Sequence, residues 1–221
     1  VFDIGQIATK TAANARSPYD RPLANLHLAL DPGHVGGIWA EWELRNFRIS
    51  REDHWVREGE LVLEVALRIR TRLTNLGAEV TLLREDCRPI NPMDFIDYWP
   101  LAAAEKMPPK ELSFKAQLDH ALAVRNRAIH MAIVRGEIAE RARLVNEVIQ
   151  PDALISLHIN AAAWPDEDAK ELVDSDHAHV LIFGCLSESE LASPRQRERL
   201  LEKLSNGSGP VEAHLGAALG S

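Results

Sequence analysis

Two histidines stand where an open α/β sheet would gather chemistry. His34 lies four residues beyond the short apolar run Leu26-His-Leu-Ala-Leu30, and His158 closes another, Ala153-Leu-Ile-Ser-Leu-His158. Both runs are bounded by turn residues and read as buried strands, which puts each imidazole at a strand's carboxyl end, the side where such sheets bind ligands. A single histidine there is ordinarily structural or solvated. Two at matching ends of separate strands leave a shared metal ion and two unrelated histidines as open readings.

Helix geometry supplies a third candidate. A long helix is expected from about Glu58 to Leu76, ending at Gly77, a natural stop. With successive residues about 100° apart around the axis, Val62, Val65, Ile69, Leu73 and Leu76 form one stripe, and Glu58 heads it. Glu60 falls on the opposite side with Glu64 and Thr71. A carboxylate aimed at the core costs several kcal/mol unless a cation meets it. The alternative is a helix that starts after Glu58, leaving a solvated first-turn acid favoured by the helix dipole.

Two histidines and a glutamate are a recognised catalytic zinc set that keeps a fourth position for water. Zinc lowers the pKa of that water towards ~7 and polarises a carbonyl. The chemistry implied is hydrolysis of an amide or an ester.

Other features are weaker. Val35-Gly36-Gly37 makes a loop suited to close approach of a substrate, without the spacing of a phosphate-binding fingerprint. Ser156, His158 and Asn160 share one side of their strand by alternation, where they either orient His158, meet substrate, or simply finish the strand. His177 and His179 read as surface or core histidines rather than a metal pair. No serine stands in a nucleophile-elbow context, and neither Cys87 nor Cys185 follows a helix start that would activate it.

The elements that must position these residues alternate strand and helix. Glu79-Val-Thr-Leu-Leu83 is a second strand after the long helix, Glu111 to Gln150 is helical with a break expected near Gly136, and Ala178 to Phe183 is a fourth strand. Pro194 to Leu204 is a late helix with proline in its first turn. Strands separated by helices of this length imply crossovers and a mostly parallel, twisted sheet with helices on both faces, a three-layer α/β/α fold.

With 221 residues the chain can bury one sizeable core, so residues 1–221 are read as a single domain with an N-terminal tail over 1–25. Glu85 to Pro109 carries five prolines and opens an insertion over about 85–136. A net charge of −8 argues against a nucleic-acid partner, and no stretch reaches the roughly 18 to 20 apolar residues of a bilayer helix. No signal-peptide core is present in the first 25 residues, and the helical pattern of Val211 to Leu219 stops almost at once, which suggests missing C-terminal strands.

Leu28-Ala-Leu-Asp-Pro-Gly-His34-Val-Gly-Gly37 resembles the opening motif of the zinc-dependent N-acetylmuramoyl-L-alanine amidases, the type 3 cell-wall amidase family. Glu58-Gly-Glu-Leu-Val-Leu-Glu-Val-Ala-Leu-Arg68 and Gly77-Ala-Glu-Val-Thr-Leu-Leu-Arg84 are similar to the family's following segments. So are Arg141 with Asn146, and Leu154-Ile-Ser-Leu-His-Ile-Asn-Ala161. The resemblance spans roughly residues 26–84 and 137–162.

It implies an amidohydrolase that holds one Zn2+ on His34, Glu58 and His158 and cleaves the bond between N-acetylmuramic acid and the L-alanine of the peptidoglycan stem. Gly36, Gly37, Asn160 and Arg141 are then expected on the substrate side. Peptidoglycan is the expected partner, with room for a regulatory protein, in the periplasm or outside the cell.

Three departures bear on that expectation. The segment from His34 to Glu58 is long and holds Trp39, Trp42 and Trp55, which either line a groove or pack on the sheet. The insertion is large. The general-base Glu that the family carries on a late strand is not found, since Val180-Leu-Ile-Phe183 has Phe where an acid is needed. General acid–base help is worth roughly 10² to 10⁴ in rate, so a wall-binding zinc module without catalysis stays open as a rival; a zinc peptidase or deacylase, with the same ligands and a different groove, is another.

Overall fold

The structure is a computed structural model that describes residues 21–110, 113–160, 178–182 and 187–219. The described residues fall into two compact units, one within Leu23–Ala163 and the other within Val1–Pro22 and Trp164–Ser221.

The first unit is built on β1 (His27–Pro32), whose Ala29 and Leu30 are fully buried. Two-residue strands β2 (Asn46–Phe47) and β3 (Val56–Arg57) pair antiparallel in the loop that follows. Helix α1 (Glu58–Asn75) comes next and stops at Gly77, whose φ of 102° only glycine takes up readily. β4 (Glu79–Leu82) then pairs parallel with β1. On its other side β1 pairs parallel with β5 (Ala153–Leu157), giving the order β4-β1-β5 among the described residues.

Alternation along β1 separates two packing surfaces. Leu30 packs with Leu82 and Ala66, joined by Ile69, Leu73, Ile155 and Leu157. Ala29 packs with Leu83, Val145 and Ile149. Burying a leucine such as Leu30 is worth about 1.5–3 kcal/mol, so these contacts lock the register of the three strands.

Between β4 and β5 runs the insertion. A 3-10 turn at Phe95–Tyr98 leads into α2 (Trp99–Glu105), so the proline-rich stretch is only partly irregular. α3 (Phe114–His130) and α4 (Glu137–Arg143) are joined by a π-helical stretch, Met131–Gly136, and a second one, Leu144–Ile149, ends the run. The break expected at Gly136 is thus a widened turn rather than an interruption. A Cβ at Gly136 would overlap the Asn91 amide and the Tyr98 hydroxyl, so glycine makes room for these side chains. Ala102, Val124, Ala128 and Met131 form a small core here with Phe95, Tyr98 and Trp99 against it.

The second unit holds α5 (Glu188–Leu191), α6 (Pro194–Asn206) and α7 (Ser208–Leu219). Gly207 closes α6 in the left-handed conformation. Residues 178–182, expected as most of a fourth strand, form no strand, and Phe183 lies outside the described residues. Their apolar run carries a strand's composition without a neighbouring strand pairing with it among the described residues. The tail expected over 1–25 is described only from residue 21, and Leu23 N–H already bonds to the Leu76 carbonyl at 3.0 Å. No helix among the described residues is long and apolar enough to cross a membrane.

Candidate metal centre

β1 ends at Pro32, Gly33 N–H carries its ladder one bond further to Leu157 O on β5 at 2.9 Å, and the chain bends at His34. His34 then takes a left-handed φ of 55°, which is uncommon for a residue with a side chain. Two buried guanidinium groups hold the turn. Arg84, just past β4, donates to the carbonyls of Pro32 (3.1 Å), Gly33 (3.1 Å), Gly59 (2.5 Å) and Asp86 (2.8 Å). Arg141 on α4 donates to Pro32 O (2.7 Å), His34 O (3.1 Å), Asp31 Oδ1 (2.5 Å) and Glu137 Oε1 (2.9 Å). Burial pushes Arg84 below the ordinary arginine range, and the nearby positive charge of Arg141 adds to it.

α1 starts at Glu58, so the reading in which the helix begins after that residue does not hold. Its buried face is Gly59, Val62, Leu63 and Ala66. The sequence stripe was turned by about one residue: Val62 lies inside, but Val65 is 44% exposed and Leu76 37%. Glu58 stays on the inner edge, one turn before Val62. Glu60 is not opposite the core as expected, since it accepts from Gly37 N–H and the Arg57 guanidinium, each at 3.1 Å.

His34, Glu58 and His158 converge, offering one ligand atom each with all three atoms within 4.8 Å of one another. His34 Nε2 is 3.5 Å from Glu58 Oε2, and His158 Nδ1 is 3.2 Å from Glu58 Oε1. Donors about 2.0–2.2 Å from a tetrahedral ion lie roughly 3.3–3.6 Å apart; each imidazole meets a different Glu58 oxygen near that spacing, and two imidazoles with a carboxylate are the donor chemistry zinc takes. The imidazoles meet edge to face, with centroids 5.1 Å apart and planes at 85°. Glu58 also accepts from Ile159 N–H at 3.0 Å. A Cβ at Gly33 would come within 2.6 Å of both His158 Nδ1 and the Leu157 carbonyl oxygen, so only glycine leaves space for the ring.

The residues expected on the substrate side divide. Asn160 is exposed, just past His158. Gly36 is buried, with the start of α1 and Cys87 Sγ over it, and Gly37 lies beside Cys87. Arg141 is buried behind the loop, where its donors are taken up by Asp31, Glu137 and two carbonyls. The structure thus shows Arg141 clamping the loop, with its guanidinium enclosed by these partners. Ser156 donates to Asp31 Oδ2 at 3.3 Å and so supports the same clamp. Trp55 is stacked under Arg48 at 4.7 Å. His177 and Cys185 lie outside the described residues.

Glu43, which carried no sequence signal, stands behind His34. Its carboxylate is 3.2 Å from His34 Nδ1 and accepts from Val35 N–H at 2.8 Å. Compared with known protein families, with curated proteins and with solved structures, the chain finds no significant match.

Proposed function

We propose that this chain binds one zinc ion on His34, Glu58 and His158 and hydrolyses the amide between N-acetylmuramic acid and L-alanine in peptidoglycan. The observation that carries the reading is the meeting of three donor atoms, from β1's end, α1's first residue and β5's end, within 4.8 Å. The quoted motifs supply the substrate class, and a cell-envelope location follows from that substrate.

Zinc held there would act as a Lewis acid towards a substrate carbonyl and activate a water. The chain's own part is positional. Glu58 faces both imidazoles, Arg84 and Arg141 hold the loop that presents His34, and Asn160 is exposed two residues past His158. The finer architecture we propose is the three-layer α/β/α arrangement, supported by the separate packing of Ala29 against Val145 and of Leu30 against Ala66.

A second reading is a zinc-bearing wall-binding module without catalysis. It is favoured by the family's late general-base Glu not being found in the sequence. Metal analysis tests the centre: about one zinc per chain is expected, and loss of zinc in His34→Ala. Digestion of purified peptidoglycan separates the two readings. New L-alanine amino ends mark the amidase, and retention on the wall without them marks the module.

A further inference from the structure

We infer that Glu43 is the positioning residue of His34, fixing which ring nitrogen faces Glu58; this rests on the metal reading above. Glu43 lies beyond the 3-10 turn Gly37–Glu41, nine residues after His34, and its side chain is only 7% exposed. Both oxygens are engaged, one by His34 Nδ1 and one by Val35 N–H. A carboxylate accepts only, so the ring must present an N–H at Nδ1. In the neutral ring that a metal ligand requires, this leaves the Nε2 lone pair on the side of Glu58 Oε2, 3.5 Å away.

The two hydrogen bonds clasp consecutive residues at the point where the chain is most constrained, since His34 has φ 55°. A ligating imidazole whose second nitrogen is held by a carboxylate gains basicity and a fixed plane, and loss of such a partner typically lowers metal affinity about 10–100-fold. Glu43 is enclosed and doubly engaged, so it holds a proton in place rather than moving one to substrate. His158 is built differently: its Nδ1 is the atom facing Glu58, and its side chain is 52% exposed. Glu43 therefore serves one ligand of the three.

The test uses the full chain, wild type, Glu43→Ala and the near-isosteric Glu43→Gln. Ring 15N shifts of the metal-free protein report which nitrogen of His34 carries the proton. Competition with a chelator gives Zn2+ affinity, and Co2+ absorption reports ligand geometry. Expected are an Nδ1–H ring in the wild type, a mixture in Glu43→Ala, and affinity falling ~10–100-fold with an altered Co2+ spectrum. Glu43→Gln, which keeps the volume but only one acceptor, should fall between. A wild-type ring protonated at Nε2 and not at Nδ1, or variants that match the wild type in affinity and spectrum, would overturn the assignment. A wild type that binds neither ion sinks the metal reading instead, and the ring proton still decides whether Glu43 holds His34.

Discussion

The two histidines of the centre sit in unlike surroundings. The His34 side is held from several directions: Arg84 and Arg141 bind its carbonyls, Glu43 binds its ring and the next amide, and Asp31 ties Arg141 to β1. The His158 side is the tip of β5, which pairs only with β1 among the described residues and has alternate residues exposed. Its ring is held by Glu58 and by packing on Gly33. One half of the site is fixed by the fold, and the other is set largely by the groups it shares with its counterpart. If the proposed ion binds, the rigid half would define the geometry and the exposed half would adjust to it.

The largest expected break is at the rigid half. Arg141→Met removes the cation between buried Glu137 and Asp31, leaving two carboxylates without it. Breaking a buried pair from one side costs about 3–5 kcal/mol. Glu137 also accepts from the amides of Ile90 and Asn91, at 2.9 and 3.0 Å, so the start of the insertion should loosen with the loop. Urea denaturation should show the loss. A change under about 1 kcal/mol would mean that the loop is not clamped in the way described.

Zinc itself should act mainly on the weaker half. At a free concentration of 100 times Kd a ligand adds about 2.7 kcal/mol of stability. Amide exchange should slow on metal addition across Ala153–Ile159 more than across Asp31–Gly36, which is already held. Equal slowing in both segments would erase the contrast.

The contrast was only half legible in the sequence. β1, β4, β5 and α1 announced themselves through apolar runs and through Gly77, because local pattern and final burial agree in them. Glu58 could be placed beside the histidines because it lies one helical turn before Val62 on an inward face. The face is turned from the apolar stripe because α1 packs through small residues, Ala66 against Leu30 and Gly59 against Val35 and Gly36, which weigh little in such a stripe. Glu43 and Arg84 act through contacts that close only in three dimensions, across 9 and 51 residues. Nothing in Trp39-Ala-Glu-Trp-Glu43 sets one acid apart from the other. Residues 178–182 show the converse, a strand-like composition that forms no strand.

A smaller effect is expected where the halves touch. Gly33→Ala forces a Cβ against the His158 ring and the Leu157 carbonyl. Overpacking of this kind costs about 1–3 kcal/mol, less than loss of the Arg141 clamp. Metal affinity should nevertheless suffer, because the ring yields more readily than the backbone. Denaturation of the metal-free variant alongside chelator competition separates the two effects. Full zinc affinity in a destabilised variant would show that His158 adjusts without losing its place.

The least change in metal-free stability is expected from His158→Ala. Its side chain is half-exposed, and surface substitutions of this kind usually stay within about 0.5 kcal/mol. His34→Ala should cost more, about 1–3 kcal/mol, since it strips a partner from the enclosed Glu43 carboxylate. Yet both variants remove one donor of three, so both should abolish the stabilisation that zinc gives the wild type. Melting curves with and without zinc therefore read the two properties separately. If His158→Ala destabilised the metal-free chain as much as His34→Ala, the exposed tip of β5 would be carrying structure as well as a ligand, and the division into a fixed and an adaptable half would fail.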